Sequence, residues 1–168
     1  AAAGSSTSGS TLVKPGHFRA LGEGEIILAE HPRLAPLSQA LEKAEFRVQQ
    51  VSDLQSVLWG KLVINAAINP LTALLDVPNG YLLKNPQAWD IACKLADETA
   101  GVARALGVDL PYPDPHETIR KVLVNTGKNS SSMRQDLFRL APTEIDAING
   151  AVVKTGRQQG VPVVHNEV

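Results

Sequence analysis

A lysine and two asparagines recur at intervals of four residues in an otherwise apolar part of the chain. At about 100° per residue, Lys61, Asn65 and Asn69 fall on one side of a helix, within a stripe about 80° wide and roughly 12 Å long. Their neighbours at 62–64 and 66–68 are all apolar, and a helix that is apolar nearly all round is normally buried. Unpaired polar side chains are costly in such a place. The stripe therefore predicts a ligand in a cleft, a hydrogen-bond network between helices, or a face open to water.

These residue types suit the reduction of a carbonyl group. A lysine ammonium is compact and mobile, and it can donate a proton to a carbonyl oxygen that is being reduced. Asparagine amides both donate and accept hydrogen bonds, so they can hold a hydroxyl or a carboxylate. Ser132 and Glu144 are further candidates. However, a run of serines is also typical of a loop or cap, and a glutamate in the first turn of a helix is favoured by the helix dipole.

Helices must position these side chains, because caps and stops predict helix almost throughout from residue 53 onward. Proline lacks a backbone donor and disfavours helix at the residue before it, so a kink or a break is predicted at Pro70. Asparagine or aspartate followed by proline is a strong start signal, and glycine a strong stop. The first two predicted helices cover 53–69 and 71–76. The third begins at Asn85 and is ended by Gly107, and the fourth begins at Asp114. The last runs from near Pro142 to before Gly160.

The first 52 residues predict a small α/β unit. Residues 1–10 contain only Ala, Gly, Ser and Thr, which predicts a flexible loop or a non-native extension that forms no core. Three extended segments then predict an antiparallel hairpin or meander, at 11–13, 18–20 and 25–29. A helix over 36–44 and a strand over 46–51 follow. The change in pattern near residue 52 predicts two domains, 1–52 and 53–168.

Bulk composition narrows the classes of protein. The chain has 16 basic and 17 acidic residues and a net charge of −1, so no electrostatic footprint for nucleic acid or an anionic membrane is present. No apolar run approaches the roughly 20 residues that span a bilayer. Cys93 is the only cysteine, which predicts a reduced, cytoplasmic protein. The four histidines are scattered without ligand spacing, so no metal site is expected.

Three separated motifs resemble the ketopantoate reductases, or 2-dehydropantoate 2-reductases. They are Trp59–Ala73 with the following Pro78–Gly80, Ser131–Asp136, and Thr143–Gly150. The motifs occur in the family's order, and the resemblance covers nearly the whole chain. It implies NADPH-dependent reduction of ketopantoate to pantoate, on the route to pantothenate and coenzyme A.

The resemblance also implies a fold and a site. The fold is mainly α: a helical domain of the 6-phosphogluconate-dehydrogenase C-terminal-like type, preceded by a small α/β remnant of a Rossmann domain. Lys61 is then the catalytic lysine and Glu144 the active-site acid. The substrate-binding positions are Asn65, Asn69, Ser132 and Glu98. The cofactor is NADPH, but its binding residues are unknown, because this chain has no G-x-G-x-x-G fingerprint.

Two alternatives share the same residues. The substrate could be another 2-oxo acid, or the chain could be a non-catalytic helical module for dimerisation or binding, in which Lys61 would be dispensable. We expect the chain to be part of a longer enzyme, truncated at both ends, and to show neither reductase activity nor much NADPH affinity on its own. An unpaired strand edge in its α/β part predicts a homo-oligomer.

Overall fold

The computed structural model describes residues 3–7, 9–20 and 24–167. Helix predominates, as predicted. The helices are α1 (Ala35–Lys43), α2 (Leu54–Leu74), α3 (Tyr81–Lys84), α4 (Pro86–Ala105), α5 (Pro115–Asn125), α6 (Ser132–Phe138) and α7 (Ile145–Gln159). The strands are β1 (Gly4–Ser6), β2 (Ser10–Lys14), β3 (His17–Ala20), β4 (Glu25–Ala29) and β5 (Arg47–Val51). The chain forms two compact units, residues 1–58 and 59–168. The predicted domain boundary, between 52 and 53, lies just before α2.

The first unit contains a small sheet in the strand order β1-β4-β5. β4 and β5 run parallel, with Ile26 opposite Val48 and Leu28 opposite Gln50. Parallel neighbours need a crossover connection, which α1 supplies here. Leu28, in the middle strand, is buried. This βαβ arrangement confirms the predicted α/β character of the segment.

Two predictions for this unit were wrong. The segment 25–29 does not extend the hairpin, which consists of β2 and β3 with a bulge between Leu12 and Lys14. It pairs instead with β5 and, antiparallel, with β1. Residues 4–6 are therefore a strand rather than a loop; the adjoining positions 1, 2 and 8 lie outside the described residues. The pairing rests on backbone hydrogen bonds, such as the one from Thr7 N to Glu25 O at 2.9 Å, so small polar side chains do not prevent it.

In the second unit, three apolar clusters surround α2. The first joins α2 to α3, α4 and α5 around the fully buried Leu82, Ile119 and Leu123. The second joins α2 to α6 and α7, and the third joins α4 and α7 to the residues after α7. Burying a side chain of this size fully contributes about 1.5–3 kcal/mol, so α2 is held firmly on several sides.

Of the kink or break predicted at Pro70, the break is wrong, because α2 continues through this proline to Leu74 and is 21 residues long. Proline removes the N–H that would bond to the carbonyl oxygen four residues earlier, here that of Ala66. The Nδ2 atom of Asn149 donates to this oxygen at 3.2 Å. The Asn149 side chain thus supplies the donor that the proline lacks.

By length and composition α2 could also cross a membrane, with a mean hydropathy of 1.3. The sequence shows no unbroken apolar run of this length, because Lys61, Asn65 and Asn69 interrupt it. Half of the relevant window is buried against the rest of the protein. That is the behaviour of a core helix.

The predicted caps are confirmed. Asn85 Oδ1 accepts from the backbone N–H of Gln87 and Ala88, both at 3.1 Å, and Asp114 Oδ1 accepts from Glu117 N at 3.1 Å. The last helix ends at Gly160 as predicted, but it begins at Ile145 rather than near Pro142. Thr143 Oγ1 lies 3.4 Å from Ile145 N and accepts from it, so the residues before Ile145 form the cap instead of the first turn.

Candidate active site

The polar stripe on α2 runs from the surface into the protein. Lys61 is exposed and Asn65 is half-buried, whereas Asn69 is only 7% exposed. Within the described part of the chain, no hydrogen bond joins the side-chain amide of Asn65 or Asn69 to another residue. The two asparagines therefore do not form the interhelical network that was one interpretation of the stripe. Neither polar atom of the Asn69 amide is among the fully buried, unpaired side-chain atoms of the described residues, so this amide is within reach of water or of a polar ligand.

Thr72 belongs to the same stripe, since it lies eleven residues after Lys61 and hence about 20° away around the helix. Its hydroxyl is fully buried and lies 2.8 Å from Ser131 Oγ. Ser131 is the N-cap of α6 and accepts from Arg134 N at 3.2 Å. This contact joins the stripe to the start of α6 and leaves the next residue, Ser132, exposed.

Glu144 is the N-cap residue of α7. Its carbonyl oxygen accepts from Ile148 N at 2.9 Å, while its side chain is exposed and makes no capping bond. The helix start thus fixes the backbone of Glu144 and does not use its carboxylate. A carboxylate in this position can act on a neighbouring ligand or amine.

One apolar cluster brings these elements together. It combines residues of α2, α6 and α7: Leu62, Ala66, Ala73, Met133, Ile145 and Ile148. Leu62 follows Lys61, Met133 follows Ser132, and Ile145 follows Glu144. The structure therefore places the lysine, the two asparagines, the serine and the glutamate on three elements that share a single core.

Glu98 is engaged elsewhere. Its carboxylate accepts from the backbone N–H of His165 at 2.9 Å and of Asn166 at 3.0 Å, and from Asn166 Nδ2 at 2.8 Å. His165 Nδ1 lies 2.7 Å from it. Burial alone would raise the pKa of Glu98, but the hydrogen bonds from His165 and Asn166 outweigh it and lower the pKa. These contacts hold the residues after α7 against α4. They do not test substrate binding by Glu98, which stays a prediction.

Two loops, at 78–80 and 126–129, together position the serine run. Residue types alone do not identify this pair of loops. Asn79 N donates to Asn129 O, and Gly80 N donates to Gly127 O, both at 3.0 Å. Asn79 Nδ2 donates to Thr126 Oγ1, also at 3.0 Å. The Asn-Gly pair was visible in the sequence as a turn, but its partner loop was not. The backbone just before Ser130–Ser132 is therefore set by the turn that follows α2.

Gly80 should be intolerant of a side chain. A Cβ atom there would lie 2.9 Å from Gly127 Cα and 3.0 Å from Gly127 O. Because those atoms are backbone, Gly80→Ala is expected to reduce the free energy of unfolding by about 1–3 kcal/mol. Gly101→Ala is the matched control, since its Cβ would meet Val161 at an ordinary 3.6 Å. Because alanine replaces a glycine within a helix, the free energy of unfolding of this variant should rise by roughly 0.5–1 kcal/mol. Urea unfolding of both variants measures this, and equal stability of Gly80→Ala and wild type would contradict it.

Tyr112 fixes the backbone next to Lys61. Its hydroxyl donates to the carbonyl oxygen of Gly60 at 2.7 Å. Burial raises the pKa of Tyr112 to about 12, so it remains a neutral donor at any physiological pH. The start of the polar stripe is thus anchored from the segment between α4 and α5.

Among the described residues, no group of three or more His, Cys, Asp or Glu side chains could hold a metal ion. The amides and hydroxyls of the stripe and of α6, together with Lys61, are instead donors for an anionic or carbonyl-bearing organic ligand. The sequence offers no glycine-rich loop for a dinucleotide.

Comparison with known proteins identifies the family of the chain. Residues 53–168 match the family model described as ketopantoate reductase PanE/ApbA C terminal. The chain is 44% identical over 146 residues to a 2-dehydropantoate 2-reductase from Pyrobaculum aerophilum, covering 87% of this chain and 51% of the relative. The chain thus spans about half the length of that curated relative.

Solved structures give the same picture. A PanE/ApbA family ketopantoate reductase from Ralstonia eutropha JMP134 superposes with a TM-score of 0.91 and 33% identity, over 98% of this chain and 55% of that one. A D-mandelate dehydrogenase in complex with NADH superposes with a TM-score of 0.89 and 25% identity, over 98% of this chain and 58% of that one. The chain belongs to the ketopantoate reductase family, and its helical part is the family's C-terminal domain.

Proposed function

We propose that the full-length protein containing this chain reduces 2-dehydropantoate to pantoate, with NADPH as the reductant. The observation that carries the proposal is the stripe on α2, where an exposed lysine is followed by two asparagines whose amides find no partner among the described residues. The names of the family's curated members support the choice of substrate. The described residues contain no phosphate-binding loop, so NADPH is proposed to bind mainly outside them; when bound, it supplies the hydride.

The side chains of this chain have distinct roles in the proposal. Lys61 stabilises the charge that develops on the substrate's C2 oxygen as the hydride arrives at C2, and it donates a proton to that oxygen. Asn65, Asn69 and Ser132 hold the substrate's hydroxyl and carboxylate. Glu144 orients Lys61 or accepts from the substrate hydroxyl. The product is a 2-hydroxy acid with one new C–H bond and one new O–H bond.

A second candidate keeps the chemistry but changes the substrate. The likeness to a D-mandelate dehydrogenase bound to NADH favours another 2-oxo acid, and NADH, as the alternative, because mandelate is itself a 2-hydroxy acid. Selectivity between such acids depends on the protein groups that surround the part of the substrate beyond its carboxylate and carbonyl groups. An aromatic 2-oxo acid therefore tests the alternative directly.

The test is turnover by the purified full-length protein. We expect kcat/KM for 2-dehydropantoate to exceed that for phenylglyoxylate and pyruvate by at least about 100-fold, which is the discrimination that a few well-placed polar contacts can provide. Each acid is assayed with NADPH and with NADH by the absorbance at 340 nm. A preference for phenylglyoxylate would replace the proposed substrate, and a preference for NADH would replace the proposed cofactor.

The proposal includes a cytoplasmic location and self-association. Light scattering of this chain after gel filtration tests the self-association that its unpaired strand edge predicts. A strictly monomeric protein at micromolar concentration would exclude it.

A further inference from the structure

The carbonyl oxygen of Ala66 occupies an unusual place in the structure. In a regular helix it would accept from the backbone N–H of residue 70, but that residue is Pro70, which has none. The proline ring also crowds the carbonyl four residues earlier and pushes it away from the helix axis. Because Ala66 is fully buried, this oxygen needs a donor from elsewhere in the protein.

Asn149, on α7, provides that donor from 83 residues away in the sequence. Its Nδ2 atom donates to Ala66 O at 3.2 Å and to Asn166 Oδ1 at 3.0 Å. Both amide hydrogens therefore meet oxygen acceptors, which fixes the orientation of the amide. The side chain is fully buried, so water does not compete for these bonds.

The turn that Asn149 holds is the one that carries the substrate-binding asparagines. Asn65 directly precedes Ala66, and Asn69 directly precedes Pro70. The bend that a proline causes in a helix changes the direction of the side chains on either side of it. The relative orientation of the Asn65 and Asn69 amides thus depends on how the Ala66 carbonyl is restrained.

We propose that Asn149 is a positioning residue for the substrate: through its bond to the Ala66 carbonyl oxygen, it sets the geometry of Asn65 and Asn69 across Pro70. The inference rests on the proposed function. Asn149 does not touch the substrate, and it acts only through the backbone of α2. A purely structural role, through Asn166 and the residues after α7, would affect stability without changing substrate binding in particular.

A double-mutant cycle separates the two roles, because Pro70→Ala returns a backbone N–H to the position that Asn149 serves. In the full-length protein, Asn149→Ala is expected to raise KM for 2-dehydropantoate about 10- to 100-fold, the effect of misplacing binding groups by about 1 Å. Asn149→Ala combined with Pro70→Ala should return KM to within about threefold of the value for Pro70→Ala alone. Its melting temperature should stay low, since Asn166 still lacks its partner.

Thr99→Val is the matched control for the loss of a buried hydrogen bond. Thr99 is fully buried on α4 and donates to Leu95 O at 2.8 Å, away from the proline turn of α2. This variant should melt at a lower temperature with KM unchanged. Hydrogen exchange of the peptide that covers residues 64–74 gives a second readout: it should quicken in Asn149→Ala and recover in the double variant, but not change in Thr99→Val.

The outcomes are distinct. If wild type does not reduce 2-dehydropantoate, the proposed function fails, and hydrogen exchange alone then decides whether Asn149 restrains the turn. If wild type is active and Asn149→Ala keeps its KM, the positioning role is wrong. A double variant that binds substrate no better than Asn149→Ala, or that does not fold, also contradicts it, because a backbone donor at residue 70 would then not replace the side chain.

Discussion

Replacing Lys61 by alanine in the full-length protein is expected to lower kcat by roughly 10²- to 10⁴-fold, the usual contribution of a positioned proton donor. The ammonium is proposed to act on charge that develops only in the transition state, so kcat should fall more than KM rises. The fold should survive, because Lys61 is exposed at the outer end of the stripe. Steady-state kinetics together with a thermal melt measure both expectations.

Two variants make the result specific. Lys61→Arg keeps the positive charge but replaces a compact ammonium with a bulkier guanidinium that holds its proton more tightly, so it should not restore turnover. Lys94→Ala is the control: Lys94 is an exposed lysine on α4, 2.7 Å from Asp90, and its loss should leave kcat unchanged. Near-normal turnover in Lys61→Ala would remove the lysine from the mechanism and favour the non-catalytic binding module.

Glu98→Ala is expected to cost about 2–4 kcal/mol of the free energy of unfolding, because several hydrogen bonds to one carboxylate are lost and each contributes about 1.5–3 kcal/mol before its partners rearrange. The side chain of Glu98 is only 13% exposed, and the residues after α7 depend on it. The matched control is Asp97→Ala. Asp97 is the exposed neighbour on α4, 2.8 Å from His116, and its loss should cost at most about 1 kcal/mol.

The same contacts predict a dependence on pH. The pKa of Glu98 is lower in the folded protein than its ordinary value of 4.5. The stabilisation is therefore complete above that ordinary value and is lost as the pH falls through the lower, folded-state pKa. Urea unfolding between pH 7 and pH 3 should show wild type approaching Glu98→Ala in stability at the acid end. A constant difference across this range would contradict the prediction.

Kinetics of a folded Glu98 variant also test the role that the family resemblance assigns to this residue. Glu98→Gln keeps one carbonyl acceptor for the residues after α7. If Glu98 binds substrate, KM for 2-dehydropantoate should rise in Glu98→Gln. If Glu98 only holds the residues after α7 in place, the free energy of unfolding should change and KM should not.

Features that depend on near neighbours could be predicted from the sequence. An N-cap bonds to a backbone N–H two or three residues away, so Asn85 and Asp114 were identified as helix starts without any tertiary information. The alignment of Lys61, Asn65 and Asn69 follows from helical periodicity alone. The likeness of the motifs to a family then suggested what that stripe binds.

Features that depend on distant parts of the chain were decided only by the tertiary structure. The helix continues through Pro70 because Asn149, far along the chain, replaces the missing donor. The strand at 4–6 exists because β4 offers it an open edge, and composition carries no sign of that partner. Each of these features is stabilised by contacts between two segments that are remote in sequence. Local propensity describes each segment alone and gives no information about its partner.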